Sequence, residues 1–162
     1  MHRSGTSLLC GILQRLGVSL PGNTIAGDKH NPEGYFEWDA VVALQERLLI
    51  DLHRWWPAPE GVLPLPPCWL DHPATRETYI QLRALLIQAR DNHPGPLAIK
   101  DPRTSRLLPM WLELCSELSI PVHLLLAVRD PSEVVSSLLV RDGPLVGMDS
   151  LRAQSLWWIH NL

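Results

Sequence analysis

Two short apolar runs in the second half of the chain share an ending. Pro96-Leu97-Ala98-Ile99 is closed by Lys100, and the run from Pro121 to Val128, "PVHLLLAV", is closed by Arg129. Each cation is followed at once by Asp-Pro, at Asp101-Pro102 and Asp130-Pro131, and then by apolar residues at helical spacing. Apolar runs of strand length without alternation read as strands buried on both faces. Strand, helix and strand in close succession make a βαβ unit, which needs a sheet that is at least partly parallel. The expected fold class is therefore α/β around a central parallel sheet.

The rest of the chain reads as helices joined by long loops. Residues 6–16 carry Leu8, Leu9, Ile12, Leu13 and Leu16 as one stripe, with Gly17 placed to cap the end. Residues 18–37 form a loop rich in Gly, Asn and Pro. Asp39 is placed to cap a second helix bearing Val41, Leu44, Leu48, Leu49 and Leu52. The prolines of residues 54–73 forbid regular structure, which makes that stretch a lid or an insertion. A third helix is expected over 75–90, burying Tyr79, Leu82, Leu86 and Ala89, and further helices over 105–118, 131–140 and 148–162. Asp130 and Glu133 fit a capping box, with Pro131 in the first turn.

The length of 162 residues suits one domain, and 46% apolar residues suit a sizeable core. A net charge of −3 calls for no nucleic-acid partner and no anionic membrane. Cys10, Cys68 and Cys115 have no metal-ligand spacing and read as reduced thiols, Cys10 and Cys115 in the core, which fits a cytoplasmic location. No apolar run reaches the roughly 20 residues of a membrane span.

Three features converge on the carboxyl edge of the expected sheet, where ligands bind in open parallel folds. One is Arg3-Ser4-Gly5-Thr6-Ser7 at the start of a helix, where free N–H groups and the helix dipole favour an anion. The others are Lys100 and Arg129, each leaving a strand. Singly, each is an ordinary cap or a solvated strand end; jointly they describe an anion site. A nucleoside-triphosphate loop would carry Lys after its last glycine. Here Thr6-Ser7 follow Gly5 and the cation comes earlier, as Arg3, which speaks against a kinase or ATPase.

The segments "HRSGTSLL", "NPEGYFEW", "IKDPRTSRLLPMW" and "VRDPSEVVSSLL" together resemble the sulfotransferase family, in the family's order and closest to its bacterial and tyrosylprotein-type branches. The resemblance implies a three-layer fold like that of the P-loop NTPases, and a donor, 3′-phosphoadenosine 5′-phosphosulfate, used without a metal. It implies that Arg3 to Ser7 hold the 5′-phosphosulfate, with Arg3 at the leaving phosphate and sulfuryl group. Arg129 and Ser137 would bind the 3′-phosphate, with Ser136 the neighbouring alternative. Lys100 would stabilise charge on the sulfuryl oxygens or the leaving group.

The general base is expected at Glu37, then Glu33, then Asp101; the bland alternative for Glu37 is an ion pair with Arg103 or Arg106. His2 stands at the loop and could face ligand, while His30, His53, His72, His93 and His123 read as loop or packing residues. The acceptor is a small molecule or glycan bearing a hydroxyl or amine, and Trp55, Trp56 and Trp69 either shape its pocket or pin the Pro-rich loop. Family members begin with a strand before the loop and continue beyond the position of Leu162. The resemblance therefore implies a single sulfotransferase domain, 1–162, incomplete at both ends. The alternative function is an inactive remnant or interaction module that keeps part of the nucleotide site.

Overall fold

The computed structural model describes residues 3–161, so the expectation placed on His2 lies outside the described residues. It contains helices α1 (Thr6–Arg15), α2 (Asp39–Asp51), α3 (Pro73–Asn92), α4 (Thr104–Glu117), α5 (Pro131–Val146) and α6 (Ser150–Asn161). Two 3-10 turns, Pro59–Val62 and Trp69–Asp71, punctuate the Pro-rich stretch. The helices follow the apolar spacing, with particular differences at their ends. Trp38, not Asp39, takes the cap position of α2. His72 caps α3 through Nδ1, which accepts from the Ala74 N–H at 3.2 Å. Helix α5, expected over 131–140, runs on through Gly143 and Pro144 to Val146.

The end of α1 shows how sequence dictates local form. Gly17 sits at φ 88°, its N–H bonds to Gln14 O at 3.0 Å, and the Val18 N–H reaches Leu13 O at 3.0 Å. That pair of bonds is a Schellman stop, which needs a residue at ease in the left-handed region.

The expected sheet is absent among the described residues, so the α/β assignment is corrected: the described architecture is helical with a few isolated bridges. The run at 96–99 makes one parallel bridge, Ser19 against Leu97, held by Ser19 N–H to Pro96 O at 3.0 Å and Ala98 N–H to Ser19 O at 2.9 Å. The run at 121–129 has no regular secondary structure and makes no backbone hydrogen bond among the described residues. Leu124, Leu125, Leu126 and Val128 are exposed, Leu126 by 73%. The physical reason is that a strand exists only as a member of a ladder that satisfies its N–H and C=O groups. An apolar run signals a residue set suited to burial, but not that a neighbour is there to pair with it. No βαβ unit forms among the described residues.

The core consequently lies between helices. One cluster joins α2, α3 and α4 through Leu48, Leu49, Leu82, Leu86, Leu107, Met110 and Leu114. A second joins α5 and α6 through Val134, Leu138, Ala153 and Leu156, with Met148 between them. Helix α1 buries only Cys10 fully; Leu8, Ile12 and Leu16 of its expected buried stripe are exposed.

Candidate anion-binding site

The loop before α1 brings a left-handed glycine to the start of the helix. Gly5 stands at the N-cap of α1 with φ 85° and ψ 12°. A Cβ there would meet nothing within 4 Å, so conformation rather than crowding favours glycine. Arg3 also has a positive φ, 63°, a conformation that costs free energy for a side chain with a Cβ. Ser4 is buried, and Thr6 and Ser7 are half-buried at the helix start. The N–H groups of that first turn have no partner within the helix and carry the positive end of its dipole.

Residues from the far end of the chain meet this loop. Arg3 Nε donates to Ser137 Oγ at 2.8 Å, and Arg129 Nη1 donates to the Arg3 carbonyl at 3.2 Å. Arg3 also reaches His30 O, at 3.5 Å. Arg129 is held by Glu133, Nε to Oε2 at 2.7 Å. Glu133 thus turns to Arg129 instead of closing the expected capping box, and Asp130 caps α5 by accepting from the Ser132 N–H at 2.8 Å. Ser136, the alternative to Ser137, is exposed and has no contact with the loop among the described hydrogen bonds. The Arg3 guanidinium titrates below its ordinary range, first because it is partly desolvated and next because Arg141 lies near. Arg3 has no carboxylate partner among the described ion pairs, so an anion would meet its charge.

Lys100 and Glu37 form a buried ion pair, each side chain 9% exposed, and Lys100 Nζ also donates to Tyr35 O at 3.0 Å. The Glu37 carboxyl is held above the usual carboxylate range: burial raises it, and Lys100 offsets part of that. The expected alternatives for Glu37 are thereby revised, since its partner is Lys100 and neither Arg103 nor Arg106. Arg106 instead donates to Gly61 O at 2.8 Å and Leu63 O at 2.6 Å, and burial pushes its guanidinium down to about 10. Asp101 is fully engaged. It accepts from Gln45 Nε2 at 2.8 Å, the Arg103 N–H at 2.9 Å and Arg103 Nη1 at 3.0 Å, which leaves it a scaffold for the turn after Lys100. Glu33 is exposed.

Sequence reasoning missed three participants. Arg141 lies one helical turn beyond Ser137 on α5, a spacing that shares a face; it forks onto Asp142 with two bonds of 2.8 Å and stacks over Trp56 at 5.8 Å. Asn31 donates through Nδ2 to Ser7 Oγ at 3.1 Å, and only its place in "NPEG" pointed there. Gln45, completely buried, links Asp101 to Trp111 Nε1 at 2.8 Å and to Thr104. The tryptophans pin the Pro-rich loop. Trp55 donates to Glu46 Oε1 at 2.8 Å, Trp56 packs on the α5–α6 cluster and Trp69 on the larger one. Shallow concavities along α3 at Ile80 and Arg83, and at Val62 and Trp158, share no residue with the anion site.

Among the described residues no group of three or more His, Cys, Asp and Glu is arranged to hold a metal ion, and no helix is long and apolar enough to cross a membrane. No protein-family model, curated protein or solved structure matches the chain.

Proposed function

We propose that the chain binds 3′-phosphoadenosine 5′-phosphosulfate and transfers its sulfuryl group to a hydroxyl or amine of a small-molecule or glycan acceptor. One observation carries the reading: Arg3, Arg129 and Ser137, chosen from motifs more than a hundred residues apart, are joined by direct hydrogen bonds around a helix N-terminus. In this reading the loop from Arg3 to Ser7 takes the 5′-phosphosulfate, and Arg129 with Ser137 takes the 3′-phosphate. Glu37 accepts the proton of the acceptor, whose oxygen or nitrogen bonds to sulfur as the bond from sulfur to the phosphate oxygen breaks. Arg3 and Lys100 meet the charge that gathers on the departing adenosine 3′,5′-bisphosphate, and preorganised cations of this kind dominate such transfers. Burial raises the Glu37 carboxyl above the ordinary carboxylate range, and a more basic carboxylate suits a general base. We place the protein in the cytoplasm, where its three free thiols stay reduced.

A second reading, nucleotide binding without turnover, draws on the segment that carries Arg129. Residues 121–129 have no backbone partner among the described residues, so Arg129 is held only through its side chain.

Isothermal titration with adenosine 3′,5′-bisphosphate, beside adenosine 5′-monophosphate, tests the donor site. Loss of the 3′-phosphate or of Arg129 should each weaken binding by about 2 kcal/mol, as a charge-assisted contact requires. Equal affinity for both nucleotides would refute it. Transfer of labelled sulfate from the donor to any phenol or sugar, abolished in Glu37→Gln, separates the first reading from the second.

A further inference from the structure

The motif "NPEG" has no role in the chemistry above, yet its asparagine touches the anion loop. We propose that Asn31 is a positioning residue that holds the Ser7 hydroxyl as a hydrogen-bond donor toward the 5′-phosphate group, an inference that rests on the donor-site reading.

Donor and acceptor chemistry decides the direction of each bond. Asn31 Nδ2 faces two oxygens, Gly34 O at 2.5 Å and Ser7 Oγ at 3.1 Å. A carbonyl only accepts, so the side-chain atom facing Gly34 is the nitrogen. The same nitrogen faces Ser7, whose Oγ therefore receives a proton from Asn31. A hydroxyl that has accepted there keeps its own proton for another acceptor.

That proton points to Tyr35 O at 3.5 Å, a long bond to a carbonyl that Lys100 Nζ already holds at 3.0 Å. A contact so weak is readily exchanged for a phosphate oxygen. Ser7 lies in the first turn of α1, where such an oxygen also meets the free N–H groups.

Asn31 is itself held firmly. Its N–H donates to Asp28 Oδ1 at 3.0 Å and to Asp28 O at 3.1 Å, and its carbonyl accepts from the N–H of Asp28 at 3.2 Å and of Gly34 at 3.1 Å. Tyr35 Oη closes the same turn onto Asp28 Oδ2 at 2.9 Å. The amide is thus fixed before ligand arrives, and so is the hydroxyl it orients.

The test is the affinity of the full chain for adenosine 3′,5′-bisphosphate, adenosine 5′-monophosphate and adenosine 3′-monophosphate. Asn31→Ala should weaken both ligands that carry a 5′-phosphate by about five- to tenfold, the effect of one oriented hydrogen bond. It should leave adenosine 3′-monophosphate unchanged, which a general loosening of the loop would not. Asn31→Asp sets a carboxylate against both the Ser7 hydroxyl and the Gly34 carbonyl and adds a negative charge, so its loss for the 5′-phosphate ligands should be roughly a hundredfold or more. In a Ser7→Ala background, Asn31→Ala should cost nothing further. If Asn31→Ala lowers the melting temperature, the titrations are run well below the unfolding transition of both chains, and adenosine 3′-monophosphate reports whether the fold of the loop is kept. Three results overturn the inference: no effect on the 5′-phosphate ligands, an equal loss for adenosine 3′-monophosphate, or an undiminished loss in Ser7→Ala. Wild-type chain that binds none of the three removes the donor-site reading and this inference together; wild-type binding without dependence on Asn31 removes this inference alone.

Discussion

Replacing Lys100 by Met should destabilise the chain by about 3 kcal/mol at pH 7.5, because it leaves a buried carboxylate without its counter-charge. The figure follows from the burial of the pair, whose side chains are each 9% exposed. An exposed pair would contribute only about 0–1 kcal/mol. The sign of the pH dependence follows from Glu37. Its carboxyl already titrates above the ordinary carboxylate value because of burial, with Lys100 acting in the opposite direction. A folded-state value above the unfolded one means that the native chain holds more protons in that window, so stability falls as pH rises through it. Removing Lys100 raises the folded value further, and the variant should lose more stability than wild type between pH 5 and pH 7.5. Urea unfolding followed by tryptophan fluorescence at both pH values measures this. Glu37→Gln with Lys100→Met should recover most of the loss, since a neutral amide beside an apolar side chain leaves no unpaired ion. A loss below about 1 kcal/mol at pH 7.5, with the pH profile of wild type, would refute the buried ion pair.

Gln45→Leu should cost about 2–4 kcal/mol in the same assay, since it leaves the buried Trp111 N–H without an acceptor and the Asp101 carboxylate short of a donor; a loss under about 1 kcal/mol would contradict that network. Both tyrosines of the chain, Tyr35 and Tyr79, titrate late: burial and the Asp28 contact raise the first, and burial with Glu117 pushes the second up to about 12. Ultraviolet titration of native chain at pH 10 should therefore show little phenolate, whereas urea-unfolded chain should be about half ionised there. Leu126→Asp should change stability by less than about 0.5 kcal/mol, as surface substitutions do, and the amides of 122–129 should exchange rapidly. A loss of several kcal/mol would mean that this segment is buried after all.

The candidate site was legible to the extent that it depends on residue type and spacing. Gly5 before a Thr-Ser helix start marked the left-handed turn into α1, since that turn needs only a residue at ease at positive φ. Arg129 and Ser137 stand eight residues apart, which spans from the segment before α5 into its second turn. The partner of Glu37 was not legible, because Arg103, Arg106 and Lys100 are all basic residues close in sequence and only geometry selects among them. Asn31 and Gln45 were missed for the same reason: a side-chain amide carries no signal until its neighbours are placed.

The fold divides in the same way. The apolar spacing along the chain determined α2, α3, α4 and the start of α5, since a helix satisfies its backbone within itself and needs only one face to bury. Whether 121–129 would be a strand was never a local property, because its partners must come from elsewhere. The tertiary arrangement decided that, leaving Ser19 and Leu97 with a single bridge and Leu124 to Val128 without a ladder. It also decided that Leu8, Ile12 and Leu16 face outward although their spacing is that of a buried stripe. Periodicity says which residues share a face, and only packing says what, if anything, covers it.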